Sequence, residues 1–166
     1  MKNLQTLILL FLANSISGVA QGISMIAIPW YFTKADSIST FGLTYMLANI
    51  LCVFWVPYCG TFVDRYDRRK LYMAVTIASG LVLLFVSSIG YFQEGLEWFW
   101  VAFIFIFTFL NYNLHYPNIY AFLQEVTERK YYGRITSFVE IQGQLTRMAA
   151  GAFAAFLLEG TKAEGV

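Results

Sequence analysis

Residues 3–33, 37–63, 71–93 and 98–124 contain no Asp, Glu, Lys or Arg. Uncharged runs of that length leave few ways to fold. Each exceeds the roughly 20 residues that carry a helix across a hydrocarbon core of about 30 Å. Backbone N–H and C=O groups find no water in lipid, so a spanning segment must be a helix or part of a closed barrel. Barrels show alternating segments of about ten residues, and these runs are longer and do not alternate. A fifth segment, residues 135–158, carries only Glu140 and Arg147 as charges. The sequence therefore predicts an all-α membrane protein with five transmembrane helices, over residues 4–32, 38–63, 71–92, 98–123 and 135–158.

Composition agrees. Charged residues make up 13% of the chain, whereas a soluble domain carries about a quarter. So few charges do not give a globule a wet surface, but they suffice for a chain whose outer face meets lipid. The first 20 residues have the outline of a signal peptide: Lys2, an apolar stretch and a small-residue Gly18-Val19-Ala20. Apolar character continues through Ile23–Tyr31 with no polar start of a mature protein, which favours a retained first helix. Cys52 and Cys59, both in the second segment, fit no metal spacing and read as small apolar residues.

Charge placement sets the topology. With the N-terminus in the cytoplasm, that side collects Lys2, Arg65, Arg68, Arg69, Lys70, Arg129, Lys130 and Arg134, and the opposite side only Lys34 and Lys162. The positive-inside rule then fixes the N-terminus as cytoplasmic, and five crossings place the C-terminal end of the chain outside. Trp30, Tyr31, Trp98, Trp100, Tyr131 and Tyr132 lie at segment ends, as an interfacial aromatic belt requires. Every connection is short, so successive helices are expected to be antiparallel neighbours in one bundle.

Polar residues inside the spans fall on stripes. Asn14, Ser17, Gly18 and Gln21 share one face of the first helix, and Asn111 and His115 one face of the fourth. In the fifth, Glu140, Gln144 and Arg147 also share a face. At about 1.5 Å per residue, Glu140 and His115 lie roughly 9 and 13 Å inside the cytoplasmic boundary, and Arg147 and Asn111 about 20 Å. Matching depths set His115 beside Glu140 and Asn111 beside Arg147. Ionisable and amide groups in lipid are expensive and usually face a wet cavity, which makes Asn14, Gln21, Asn111, His115, Glu140 and Arg147 candidates for a substrate pathway. The same groups also suit a plainer role as interhelical links. No Cys/His metal spacing, nucleophile–base pair or close carboxylate pair suggests an enzyme, a metal site or a cofactor.

The connection between the second and third segments reads Gly60-Thr-Phe-Val-Asp64-Arg65-Tyr-Asp67-Arg68-Arg69-Lys70. A glycine lets another helix approach closely, a carboxylate at Asp64 suits the positive end of a helix, and the arginines are forked donors for Glu125 or Glu128. A topology signal alone explains four cations, but not a glycine and an aspartate at this spacing.

With Gly60, Asp64, Arg65, Arg68 and Arg69 at these positions, the connection resembles the signature loop of the major facilitator superfamily. Asp67 stands where many members have glycine. Ala27-Ile28-Pro29-Trp30, the D-R-Y-D-R-R-K loop and Pro117 resemble the branch of macrolide and siderophore exporters. The stretch Gly143–Gly151 takes the place of a glycine-rich antiporter motif, but Ala152 stands where that motif has proline, and Arg147 interrupts it. Gln21 stands near a position that is acidic in many members of the branch. Both departures speak against drug–proton antiport. The resemblance implies the N-terminal six-helix bundle of a two-bundle fold, here short of its sixth helix or one piece of a divided transporter, with the loop gating the two halves.

The function expected is the N-terminal part of a secondary active transporter in a bacterial inner membrane, an efflux permease for a small amphipathic or anionic molecule. Its partners would be the lipid bilayer, that small-molecule substrate and the missing C-terminal bundle or a partner chain; nucleic acid is not among them. The alternative is a non-transporting membrane subunit that scaffolds or regulates a larger complex.

Overall fold

The structure, a computed structural model, describes residues 4–35, 37–93 and 95–163. Lys2 and the side chain of Lys162, both counted in the charge asymmetry, lie outside the described residues. Helices cover Leu4–Lys34 (α1), Ile38–Arg65 (α2), Arg68–Phe92 (α3), Trp98–Val126 (α4) and Tyr132–Ala163 (α5). Among the described residues, α1 to α4 are long and apolar enough to cross a membrane. The charges and amides of α5 keep it below that mark.

All five helices turn large apolar side chains outward, among them Ile16, Val53, Phe54, Leu84, Met148 and Phe156. A water-soluble bundle buries such faces; helices immersed in lipid do not have to. Lys34 places its ammonium 5.1 Å from the ring centre of Trp30, and Lys130 lies 5.4 Å from that of Tyr131. Cations held over aromatic rings at helix ends are the arrangement a membrane–water boundary favours.

The helices outrun their apolar segments. The connection expected over 64–70 shrinks to Tyr66 and Asp67, because α2 runs on through Asp64 and Arg65 and α3 already starts at Arg68. Charge marks where lipid ends, not where a helix ends, since a solvated turn carries Asp or Arg at little cost. Asp67 starts α3: its carboxylate accepts from the Lys70 N–H at 2.8 Å, satisfying one of the helix's orphan donors.

The chain forms two compact units. One comprises α1, the last turn of α4 and α5; the other runs from α2 to Phe122 in α4. In the second unit α3 and α4 are antiparallel, with Arg68 at Ala121, Tyr72 at His115 and Phe85 at Trp100. An apolar cluster of Cys59, Val63 and Leu114, flanked by Trp55, Phe62, Leu71, Val75 and Ala121, joins its three helices. Cys59 is thus a small core residue, as its spacing suggested.

In the first unit α1 and α5 run parallel. Phe11, Asn14, Gly18 and Gly22 meet Phe138, Gln142, Thr146 and Ala150 in ascending order. The reason is small residues. A Cβ added at Gly22 would run into the Arg147 carbonyl oxygen and lie 2.9 Å from Ala150 Cβ, so only glycine admits this approach. Gly18-x-x-x-Gly22 is the small-residue spacing by which helices associate in lipid, where no hydrophobic force draws them together.

Candidate functional site

The charged turn is built on α3. Arg68 donates from Nη1 to the Ala121 carbonyl oxygen at 2.9 Å, and the Asn118 amide donates to the Arg68 carbonyl at 3.3 Å. Of the arginines expected to pair with Glu125 or Glu128, Arg68 takes a backbone carbonyl of α4 within its own unit. Asp64, Arg65 and Arg69 are exposed, and nothing among the described residues lies within 4 Å of a Cβ placed on Gly60. At the start of α3 the capping carboxylate is that of Asp67.

Above this turn the α3–α4 seam is polar. The Asn111 amide donates to Ser79 Oγ, and the rings of Tyr72 and His115 are 5.0 Å apart. Asn118 is 1% exposed. Arg68, Tyr72 and Ser79 recur at helical spacing along one face of α3, and Ala121, Asn118, His115 and Asn111 answer them along α4. Trp55 Nε1 adds a bond from α2 to the Leu110 carbonyl at 3.0 Å. Tyr72, Ser79 and Asn118 escaped the sequence reading, although the stripe of Asn111 and His115 extends to Asn118 at i+3 of His115.

The α1–α5 pair carries the other set. Asn14 Nδ2 donates to Gln142 Oε1 at 3.1 Å. Gln142 Nε2 in turn donates to the Phe11 carbonyl at 3.0 Å and to Ser15 Oγ. Gln142 lies off the Glu140–Gln144–Arg147 stripe and was missed; the signal was the run of small residues beside it, Gly143, Ala150, Gly151 and Ala154, which marks the face turned to α1. The stripe itself divides. Gln144 bonds Glu140 at 2.9 Å, while the Arg147 side chain reaches α1 and donates to Gln21 Oε1 at 3.3 Å.

Arg147 is the unusual group. It sits near the middle of α5, about 22 Å from Tyr132 at 1.5 Å per residue, and is half-buried. Its guanidinium nitrogens lie 3.6 and 3.8 Å from the position a Cβ on Gly143 would take, and Asn14 Nδ2 lies 3.4 Å from it. Gly143 is therefore the floor under the arginine. Within their own units, His115 packs on Tyr72, Asn111 bonds Ser79, Glu140 accepts from Gln144 and Arg147 donates to Gln21, whereas the depth-matched pairs expected from sequence, His115 with Glu140 and Asn111 with Arg147, join residues of different units. Depth along a helix does not specify which neighbour its face meets.

A family model described as the Major Facilitator Superfamily matches residues 10–163. No curated protein and no solved structure matches the chain.

Proposed function

The chain belongs to the Major Facilitator Superfamily, a family of transporters and not of enzymes, and from that premise we propose that it is the N-terminal part of an exporter of a small amphipathic or anionic molecule. The exporter works by alternating access in a bacterial inner membrane, as a member resembling the macrolide and siderophore branch. All five helices span, and the parallel register of α1 and α5 supports this for α5, since helices that cross in the same sense run parallel. The N-terminus is then cytoplasmic and the chain leaves α5 on the outer side.

The observation that carries this reading is the mid-helix guanidinium of Arg147, held by the neutral amide of Gln21. A permanent charge in a span is costly and marks a substrate or ion path more often than packing. Asn14, Gln21 and Arg147 line the path from α1 and α5, and Asn111, His115 and Glu140 are its further candidates. Gly60, Asp64, Arg65, Arg68 and Arg69 form the gate: Arg68 anchors the turn to α4, and the open side of Gly60 with exposed Asp64 and Arg65 is free for a second bundle.

The test is transport by the full-length protein in proteoliposomes, using anilinonaphthalene sulfonate as a fluorescent anionic amphipath. Arg147→Ala is expected to abolish saturable movement of the dye. Transport at unchanged affinity in that variant removes the arginine from the pathway.

A further inference from the structure

We propose that Arg147 and Gln21 form a two-pronged carboxylate site, so that the transported amphipath carries a carboxylate and Gln21 selects for it. The proposal rests on the transport reading above and deepens it.

The bond between the two side chains fixes the amide. A guanidinium only donates, so the oxygen of Gln21 must face it; the reversed amide would set donor against donor. With Oε1 turned to Arg147 at 3.3 Å, the Gln21 NH2, carried on the same carbon, lies beside that bond and presents two N–H groups. The guanidinium has five N–H donors, and its hydrogen bond to Gln21 uses one. Arg147 and Gln21 together therefore offer donors from two side chains, one charged, with the acceptor of the amide already occupied.

Among the described residues of α1 and α5, no carboxylate is paired with Arg147. Asn14 is committed to Gln142, and Gly143 adds no side chain beneath the guanidinium. Glu140 stands seven residues earlier on α5, about 10 Å along the axis, where it accepts from Gln144. A half-buried cation with a neutral partner calls for an anion. One guanidinium matches one charge, and its fork beside an amide N–H matches the two coplanar oxygens of a carboxylate. A phosphate dianion would stay half-compensated. A carboxylate at Gln21 itself would fill the site from within, so the glutamine is what keeps it open.

The experiment compares naphthoate with naphthamide, the same ring system without the charge, by calorimetry on the full-length protein in nanodiscs, with empty nanodiscs as the reference. Naphthoate is expected to bind at least about tenfold more tightly than naphthamide, as one charged hydrogen bond implies. Arg147→Gln is expected to remove that preference, Arg147→Lys to keep part of it, and Gln21→Glu to abolish naphthoate binding through an internal ion pair. Thermal melting of each variant separates loss of binding from loss of fold, and Gln21→Leu, which leaves Arg147 charged, is expected to weaken naphthoate without erasing the preference over the amide. Equal binding of the two compounds overturns the proposal, as does naphthoate affinity unchanged in folded Arg147→Gln or Gln21→Glu. The two readings fail separately. Naphthoate bound but never moved across proteoliposomes removes the transporter and leaves the site; naphthamide carried as fast as naphthoate removes the site and leaves the transporter.

Discussion

Gly22→Ala is the smallest change that tests the α1–α5 contact. The new methyl would lie 2.9 Å from Ala150 Cβ and overlap the Arg147 carbonyl. Ordinary carbon contacts lie at about 3.5–4.0 Å, so the helices must part by roughly 0.6–1 Å. The neighbour is backbone, which does not rotate away. Overpacking of this kind costs about 1–3 kcal/mol. Parting the helices by that much also takes the Arg147–Gln21 bond from 3.3 Å to about 4 Å, beyond hydrogen-bond range. Two controls bracket the result. A Cβ at Gly18 would lie 3.2 Å from Thr146 Cγ2 and 3.3 Å from its Cβ, a milder crowding that a shift of a few tenths of an ångström relieves. A Cβ at Gly80 meets nothing within 4 Å, and there alanine gains about 1 kcal/mol of helix propensity. Thermal unfolding of the full-length protein in detergent, followed by tryptophan fluorescence, should rank Gly22→Ala lowest, Gly18→Ala near wild type and Gly80→Ala at or above it. Gly22→Ala as stable as Gly80→Ala would refute close backbone contact as the basis of the pair.

Three further outcomes follow from the second unit. Asp67→Ala should lose about 0.5–2 kcal/mol with the cap of α3, whereas Asp67→Gly should lose only a few tenths; equal losses in chemical denaturation would show that the Lys70 N–H is not what Asp67 serves. In a double-mutant cycle, Asn111→Leu and Ser79→Ala should couple by about 0.6 kcal/mol, and by no more than about 1.7, the range for bonds between helices in lipid; strictly additive losses would dissolve the pair. Asp64→Asn should slow transport in proteoliposomes without reducing the amount inserted, and normal turnover in that variant would sink the gating assignment.

The helices were legible in the sequence because lipid imposes a coarse rule on it. A span must be apolar for its whole length, so charge-free runs locate α1 to α4 to within a few residues inside the membrane. Helix ends outside it obey a different rule, that of capping, and there Asp67 decided where α3 starts. The partners of the polar residues were legible only in part. Asn14, Gln21, Asn111, His115 and Arg147 were identified as a set because each is conspicuous in an apolar run. Which of them meet depends on interhelical packing, and that is governed by the smallest side chains. Gly18, Gly22, Gly143 and Ala150 bring α5 against α1, and this carries Arg147 to Gln21. Glycines are common in apolar helices, and without knowing which pair faces each other, their spacing does not name a neighbour.

Polarity within a span is therefore weak ground for assigning a role, and unused bonding capacity is stronger. Gln142 shows the difference: its oxygen accepts from Asn14 and its nitrogen serves Phe11 and Ser15, which leaves it glue and nothing else. Asn111 likewise has Ser79. On the α3–α4 seam, by contrast, Tyr72 Oη, His115 Nε2 and Asn118 Oδ1 are buried without a partner among the described residues, each at a cost of about 1–3 kcal/mol. Their surplus mixes donors with acceptors, so any small polar molecule, water included, would satisfy it, and it selects no ligand. At Arg147 and Gln21 the surplus is of donors alone and carries a charge. A one-sided surplus has one kind of complement, an anion, and that asymmetry is why Arg147 and Gln21, and not the more polar seam of α3 and α4, carry the proposed carboxylate site.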